Sequence, residues 1–339
     1  MVTGGDVAPN RARGKGLFGQ LTALLRDADL TWFNLENSLA RVGQRIKGKP
    51  VYLRGDPAMA EGLVEAGVDA VNVANNHVLD FGVEAFFASL DTLNACAIPY
   101  FGGGQNLAAA RKGMVIERNG LTVGLLGYTT TLPMGFAATK DEPGVASLRV
   151  STTWRIGNNP NEYPGSQPVI VTSADRDDVK AMQANIRRLK RITDIVLVYQ
   201  HWGTSMTHHV RDFQSEVGHA AIDAGAAAVF GGHQHVLSAI EIYKDCPIVH
   251  CSGNLVFDKL VPFFTDETVK SFLFGATLTR RGVENPYLIP VKCGVKVPPR
   301  QLNPARGLGR EIVNQVTALS EPYGTRYRVD GERVHVLPA

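Results

Sequence analysis

Residues 195–203 read IVLVYQHWG, and residues 226–235 read AAAVFGGHQH. Each stretch begins with an apolar run, which predicts a strand covered on both faces, and ends in a polar loop. The same pattern recurs along the chain with helix-like segments between the runs, which predicts an α/β architecture. The predicted strands are Leu30 to Phe33, Ala70 to Ala74, Thr122 to Gly127, Ile195 to Tyr199, Ala226 to Phe230 and Ile248 to Cys251.

Helices are predicted between these strands. The clearest begins at Asp56-Pro57, a capping residue followed by proline, and ends at Gly67. The others are predicted at Leu17 to Asp27, Val83 to Ala95, Arg176 to Arg191 and Gln214 to Ala224.

Two parts of the chain depart from this alternation. Residues 151–173 are rich in turn-forming residues without apolar periodicity, which predicts a long loop inserted in a domain spanning residues 1–260. In residues 261–339 we expect a C-terminal β/α extension packed on that domain. Its elements are strands near Phe272 to Leu278 and Tyr287 to Val291, a helix near Glu311 to Leu319, and a hairpin turned at Asp330-Gly331.

Composition excludes several classes of protein. The 339 residues are 44% hydrophobic and 20% charged, as in globular proteins, and the formal charge of +3 leaves no footprint of a nucleic-acid binder. The sequence contains no phosphate-binding P-loop, no HExxH zinc helix and no GxSxG nucleophile elbow. Without a membrane-spanning run or a signal-like start, the chain as given is predicted to be cytoplasmic.

Polar clusters follow the ends of the predicted strands, where open α/β sheets build their ligand sites. The inventory of carboxylates, amides and imidazoles suits Mn, Fe or Zn better than it suits Ca or a thiolate-bound metal. The clusters are Gly5-Asp6, Asn34-Leu35-Glu36-Asn37, Asn75-Asn76-His77 with Asp80, His201-Trp202-Gly203, Gly231-Gly232-His233-Gln234-His235, and Gly253-Asn254 with Asp258.

Each of these residues also has a purely structural interpretation. His233 and His235 can be hydrogen-bonded core histidines, although His201 in an equivalent position favours a shared site. Glu36 at a buried strand end needs a metal or a partner, and that partner can be Arg41 or Arg45 or a helix N-terminus. The spacing of His77 and Asp80 suits a carboxylate that orients a general acid, but Asp80 can equally be a capping residue.

In this order the motifs resemble the CapA family of poly-γ-glutamate capsule biosynthesis proteins, which is similar to a branch of the calcineurin-like metallophosphoesterases. The tail segment Leu319 to Thr325 belongs to the resemblance as well. It implies two packed mixed sheets flanked by helices, with two divalent metal ions between the strand ends.

The resemblance also implies a role for each site residue. Asp6 and His235 would hold one metal, Asn76, His201 and His233 a second, and Glu36 would bridge the two. The ions would activate a hydroxide between them, and His77, assisted by Asp80, would be the acid near the leaving group. Residues expected to line the substrate site are Asn34, Trp202, Asn254 and Asp258.

Three features depart from the family pattern. Ala8 stands where the wider superfamily has a histidine, so the first metal has one protein ligand fewer. Thr204-Ser205-Met206 stands where many members carry an acidic residue, so the substrate rim differs. Only Met1 to Gly4 precede Asp6, and an upstream segment could hold a membrane anchor or export signal, which would change the predicted location.

Three functions fit these residues. The first is a dinuclear-metal hydrolase of a phosphoester or amide bond in poly-γ-glutamate or peptide metabolism. The second is a component of poly-γ-glutamate synthesis or export, within a membrane-associated complex, or an amide-forming enzyme. The third is a metal-free, non-catalytic binding protein. A small-molecule, peptide or γ-glutamyl substrate is the expected partner in the first two cases.

Overall fold

The structure is a computed structural model that describes residues 1–157, 159, 161, 165–259 and 265–338. Its strands in chain order are β1 (Val2–Thr3), β2 (Asp6–Ala8), β3 (Trp32–Asn34), β4 (Ser38–Leu39), β5 (Arg54–Gly55), β6 (Ala70–Asn72), β7 (Tyr100–Phe101), β8 (Gly103–Gly104), β9 (Met114–Arg118), β10 (Leu121–Thr129), β11 (Gly144–Val145), β12 (Val150–Arg155), β13 (Val169–Ala174), β14 (Ile195–His201), β15 (Ala228–Gly232), β16 (Ile240–Tyr243), β17 (Cys246–Val249), β18 (Asn254–Phe257), β19 (Lys270–Thr279), β20 (Gly282–Gly294), β21 (Val297–Gln301), β22 (Arg326–Asp330) and β23 (Arg333–Leu337). The α-helices are α1 (Leu21–Arg26), α2 (Ala60–Glu65), α3 (Gly82–Ala95), α4 (Leu107–Ala110), α5 (Arg176–Lys190), α6 (Asp212–Asp223) and α7 (Gly307–Ser320).

Two six-stranded sheets form the centre of the molecule. One has the order β16-β17-β15-β14-β10-β9, with β10, β14, β15 and β17 parallel. The other has the order β1-β19-β20-β23-β22, with β21 paired to β20, and its pairings are antiparallel. A parallel sheet of β3, β6 and β7 and a parallel pair of β2 and β18 complete the framework around the strand ends.

Apolar side chains from both large sheets meet in one core cluster, as a sandwich requires. Trp32 of β3 lies in this cluster, with ring-centroid distances of 5.9 Å to Phe101, 6.1 Å to Tyr199 and 5.3 Å to Phe230. A second cluster joins the strands of the smaller sheets to α1, α2 and α3, and a third joins β10, β14 and β15 to α5 and α6. The predicted two-sheet sandwich flanked by helices is confirmed.

The six predicted strands all form, with small changes in their bounds. The helix predicted at Asp56-Pro57 forms, and it begins with a 3-10 turn, Pro57–Met59. Asp56 caps this turn, because its carboxylate accepts a hydrogen bond from the Ala58 backbone N–H at 2.9 Å. The helix predicted from Leu17 begins only at Leu21, because residues 17–20 form turns.

The long loop predicted over residues 151–173 is corrected at both ends, where the structure has a pair of strands. Strands β12 and β13 pair antiparallel from Val150 opposite Ala174 to Arg155 opposite Val169. The hairpin was missed because most of its side chains are exposed, Trp154 among them, so that burial imposes no apolar alternation on the sequence. Part of the predicted loop, residues 158, 160 and 162–164, lies outside the described residues.

The elements predicted after residue 261 are all present. Strand β19 pairs with β1 at the other end of the chain, and Ile289 and Val291 of β20 belong to the same core cluster as Phe33. Gly331 turns the last hairpin with a φ of +59°. Among the described residues, no helix is long and apolar enough to cross a membrane.

Replacing Trp32 by alanine tests the core described above. The side chain is 1% exposed, so we expect Trp32→Ala to lower the free energy of unfolding by ~3–5 kcal/mol. Trp154, which is 67% exposed, is the matched control, and Trp154→Ala should change the free energy by less than about 0.5 kcal/mol. Urea denaturation of the two variants measures the difference, and equal effects would contradict this packing.

Candidate metal centre

The predicted ligands lie at the ends of strands from different parts of the chain. Asp6 follows β1, Glu36 follows β3, and Asn76 follows β6. His201 is the last residue of β14, and the parallel register places it opposite Gly232, immediately before His233. The topology therefore brings together side chains separated by up to 229 positions, Asp6 and His235 being the extremes.

Glu36 belongs to two groups of side chains that can each hold a metal ion. Within each group the ligand atoms lie within 4.8 Å of one another. One group consists of Glu36, His201 and His233, and the other of Asp6, Glu36 and His235. All five residues are buried, and the shared position of Glu36 agrees with the bridging role that the family resemblance implies.

Glu36 is a buried carboxylate with two imidazoles close to it, since His201 Nε2 lies 3.3 Å and His235 Nε2 lies 3.8 Å from its Oε1. Neither of its oxygens has a hydrogen-bond partner in the described part of the chain, and the same is true of His233 Nδ1. Burial, together with the adjacent Asp6 carboxylate, raises the pKa of Glu36 well above its usual range. The alternative arginine partners are engaged elsewhere, since Arg41 pairs with Asp56 and Arg45 stacks on Tyr52. A cation bound between these groups would satisfy both carboxylates.

Asp6 is fixed by hydrogen bonds to both of its oxygens. Oδ1 accepts from Asn34 Nδ2 at 2.8 Å and from the Tyr199 hydroxyl at 2.9 Å, and Oδ2 accepts from the His233 backbone N–H at 2.9 Å. Burial alone would raise the pKa of Asp6, but the nearby histidines and these donors outweigh it and hold the pKa below its usual value. Asn34, which was predicted to line the substrate site, thus orients a candidate ligand, and its contact with substrate stays a prediction.

The glycines before His233 are required by close packing. A Cβ on Gly232 would lie 2.0 Å from the Tyr199 hydroxyl oxygen and 2.5 Å from Asp6 Oδ1. His233 and His235 themselves have φ values of +86° and +58°, a conformation that costs energy for residues with a side chain. The strained loop turns both imidazoles toward the carboxylates.

Amide side chains hold the histidines of the site. Asn76 Oδ1 lies 2.8 Å from His201 Nε2, and Asn254 Oδ1 lies 3.0 Å from His235 Nδ1. Burial lowers the pKa of His201 to about 4, so its ring is neutral at pH 7, which is the form that binds metal. Both amides thus contact a candidate ligand, and the roles expected of them, Asn76 as a metal ligand and Asn254 at the substrate site, stay predictions.

His77 and Asp80 form the predicted pair. His77 Nδ1 lies 2.6 Å from Asp80 Oδ2. Asp80 does not cap a helix with its carboxylate, because it accepts from the Leu53 backbone N–H at 2.7 Å and from Lys49 Nζ. Burial lowers the pKa of His77 to about 4. The acid role stays a prediction, because a ring that is neutral at pH 7 must first take up a proton.

Lys49 is a residue of this site that the sequence reasoning missed. Its Nζ donates to the Asn76 carbonyl oxygen at 2.5 Å, contacts the Asp80 carboxylate and lies 3.2 Å from His77 Nδ1. The loop that carries Lys49 has no periodicity and no motif to reveal it. Tyr199 was also missed, although strand alternation places it on the same face as His201.

Two residues predicted to line the substrate site, Trp202 and Asp258, are buried. Trp202 is fully buried in the core, where its Nε1 donates to the His250 carbonyl oxygen at 2.9 Å and its ring stacks on the His250 imidazole. Asp258 is 2% exposed and forms an ion pair with Arg11 at 2.8 Å, and it also accepts from the backbone N–H groups of Asn10 and Lys296. Both side chains are thus held by partners within the fold, and their place at the substrate site stays a prediction.

The fold and this centre define a class: an α/β protein whose strand ends carry buried carboxylates and imidazoles that could hold metal ions. Comparison with known proteins then gives the family. The model of the family described as "Bacterial capsule synthesis protein PGA_cap" matches residues 2–259, and the chain belongs to that family. The predicted CapA resemblance is thereby confirmed.

Two curated relatives are similar to this chain. The PGA biosynthesis protein CapA of Bacillus subtilis is 28% identical over 245 residues, which cover 72% of this chain and 57% of the relative. The capsule biosynthesis protein CapA of Bacillus anthracis is 26% identical over 246 residues, covering 72% of this chain and 54% of the relative. The matched part is a little over half the length of these relatives.

A solved structure of a hypothetical protein from Thermus thermophilus is also similar to this chain. The two are 15% identical with a TM-score of 0.45, and the match covers 89% of this chain and 98% of the other. At this TM-score the likeness has no bearing on function.

If Glu36 binds metal, Glu36→Gln should raise the thermal stability of the metal-free protein but reduce the stability gained on adding metal. Glu36→Gln removes a buried carboxylate that lacks hydrogen-bond donors, so the metal-free variant should unfold at a higher temperature than metal-free wild type. With Mn²⁺ added, wild type should gain thermal stability and the variant should gain much less. Thermal denaturation with and without Mn²⁺ measures both effects.

The control for this prediction is His335→Ala, because His335 lies in the C-terminal hairpin and is not in either ligand group. That variant should gain as much stability from Mn²⁺ as wild type. Equal stabilisation of wild type and Glu36→Gln by Mn²⁺ would contradict the assignment.

Proposed function

We propose that the chain is a dinuclear-metal hydrolase of a phosphoester or amide bond in poly-γ-glutamate or peptide metabolism. One observation carries the proposal: two buried ligand groups share Glu36, and their donors are carboxylates and imidazoles. Such donors suit Mn, Fe or Zn. When bound, a pair of these ions would activate water and neutralise charge on the attacked group.

The residues of the site would bind the metal ions, position the ligands and exchange a proton with the substrate. Asp6, Glu36 and His235 would hold one ion, and His201 and His233 with Glu36 and Asn76 would hold the other. Tyr199 and Asn34 keep the Asp6 carboxylate in place, so that the ligands are preorganised before metal binds. His77, oriented by Asp80, is positioned to exchange a proton with substrate through Nε2.

Lys49 supports this arrangement from the adjoining loop. It contacts the Asp80 carboxylate and the Asn76 carbonyl, and its side chain is only 10% exposed. Burial lowers the pKa of Lys49, while the neighbouring Asp80 acts in the opposite direction. In this proposal Lys49 is a positioning residue that ties the His77–Asp80 pair to the Asn76 ligand loop.

The hydrolase proposal is tested with two chromogenic substrates, bis(p-nitrophenyl) phosphate and γ-glutamyl-p-nitroanilide. Mn²⁺-loaded wild type should turn over at least one of them, and a chelator should abolish the activity. His201→Ala should lose the turnover, whereas His335→Ala should retain it. Circular dichroism of both variants checks that the fold is intact, and failure of wild type on both substrates would count against hydrolysis.

A second prediction isolates the role of His77. Because positioned acid–base groups contribute about 10²–10⁴-fold to rate, His77→Gln should reduce kcat by a factor in that range. Metal content, measured by elemental analysis, should not change, since His77 is in neither ligand group. An unchanged kcat would remove His77 from the mechanism.

A second candidate function is supported by the relatives' names, which describe proteins of PGA and capsule biosynthesis. In that case the site would take part in synthesis or export, or in forming an amide bond, within a membrane-associated assembly. Stoichiometric metal binding without turnover of either substrate would favour this candidate over the hydrolase. Absence of metal after reconstitution would favour a non-catalytic binding protein.

A further inference from the structure

Gln234 lies between the two histidines of the ligand loop, which we define as residues 233–238. His233 belongs to one candidate ligand group and His235 to the other, so Gln234 joins the two groups along the backbone. Its side chain is 0% exposed, and a buried carboxamide requires hydrogen-bond partners. The function proposed above gives this residue no role.

Hydrogen bonds from Gln234 tie the ligand loop to a neighbouring segment, residues 204–209, which we call the strap. Gln234 Nε2 donates to the Thr207 carbonyl oxygen at 2.6 Å and to the His209 carbonyl oxygen at 3.3 Å. The Gln234 carbonyl oxygen accepts from the Met206 backbone N–H at 2.9 Å. One residue of the ligand loop is thus bonded to three residues of the strap.

Other contacts fix the strap and the carboxamide in place. The His208 imidazole Nδ1 lies 2.7 Å from the Leu237 carbonyl oxygen, and the Ser238 hydroxyl donates to the His208 carbonyl oxygen at 2.9 Å. Gln214 of α6 donates through Nε2 to Gln234 Oε1 at 3.4 Å. Both ends of the Gln234 carboxamide are therefore held by hydrogen bonds.

Gly203 lets the strap begin directly against Gln234. A Cβ on Gly203 would lie 2.9 Å from Gln234 Cγ, and the residue has a φ of +89°. The glycine that follows His201 and Trp202 is therefore explained by its close packing on Gln234.

The ligand loop needs such a restraint because its backbone is strained. His233 and His235 both have positive φ values, and residues with a side chain keep that conformation only where the surrounding structure holds them. Bonds from the strap to the intervening residue oppose relaxation of the backbone on both sides of it. The two imidazoles are thereby kept in one arrangement.

We propose that Gln234 is a positioning residue for the metal centre, whose bonds to the strap keep His233 and His235 directed toward Glu36 and Asp6. The inference rests on the metal sites of the proposed function, but not on the reaction that they would catalyse. Because Gln234 joins the two ligand groups, its replacement should weaken the binding of both ions. Loss of either imidazole would instead remove a ligand from one group.

The test is calorimetric titration of metal-free wild type and Gln234→Met with Mn²⁺. Methionine is similar in length to glutamine but has no N–H to donate to the strap. Both Mn²⁺ affinities should fall by about tenfold, as is typical when a group that orients metal ligands is removed. The visible absorption spectrum of the Co²⁺-loaded variant should also differ from that of wild type, because it depends on ligand geometry. A loss of overall stability alone would leave that spectrum unchanged.

Gln200→Met is the matched control. Gln200 is also 0% exposed and directly precedes His201, but its Nε2 donates to Met182 Sδ of α5. Strand alternation places Gln200 and His201 on opposite faces of the sheet. This variant should keep the wild-type Mn²⁺ affinities and Co²⁺ spectrum, and circular dichroism checks that each variant is folded.

Gln234→Glu is the second variant, and it replaces Gln234→Met if that protein does not fold. A carboxylate would face the Thr207 carbonyl oxygen instead of donating to it, so metal affinity should fall at least as far. Wild-type affinities and spectrum in a folded Gln234 variant would overturn the inference and leave the proposed function standing. Equal losses in Gln234→Met and Gln200→Met would also overturn it.

The hydrolase proposal can fail separately. Weaker metal binding in Gln234→Met, combined with no turnover by wild type, would support the positioning role and count against hydrolysis. A wild type that binds no metal would overturn both.

Discussion

The candidate site depends on a buried carboxylate, that of Glu36, for which the residues that the structure describes offer no hydrogen-bond donor. Glu36 is 0% exposed, and its ligand atom lies in the same small group as a second carboxylate, that of Asp6. Two carboxylates buried side by side repel each other and lose their hydration. A divalent cation bound between them reduces both the repulsion and the desolvation penalty. Hydrogen bonds hold the Asp6 carboxylate, whereas neither oxygen of Glu36 accepts one in the described part of the chain, which is why Glu36 is the residue that most requires a cation.

Several other features of the fold serve this arrangement. Parallel strands deliver the ligands to one edge, and Gly232 leaves room for the Asp6 carboxylate and the Tyr199 hydroxyl. The left-handed backbone at His233 and His235 is unfavourable in isolation, but it places two imidazoles beside the carboxylates. Backbone strain and buried charge thus occur together, as is common at functional sites.

Much of the site could be predicted from the sequence, because buried parallel strands give continuous apolar runs and ligands follow their ends. Glu36, His201 and His233 were found in this way, and the structure places them in one group.

Lys49 was not predictable, because its contacts with Asp80 and Asn76 are made from an irregular loop that has no sequence signal. Trp202 was placed at the substrate site by the family resemblance, which does not determine which way the ring points; in the structure the ring is fully buried. The hairpin of β12 and β13 could not be predicted either, because most of its side chains are exposed and its sequence therefore shows no apolar alternation.

The most direct test of this account is anomalous diffraction from crystals of the protein grown with Mn²⁺. The account predicts two anomalous peaks, one on either side of the Glu36 carboxylate. One peak should be contacted by His201 and His233, and the other by Asp6 and His235. A single peak away from Glu36, or no peak at a Mn²⁺ concentration that saturates binding, would contradict the assignment of Glu36 as the shared ligand.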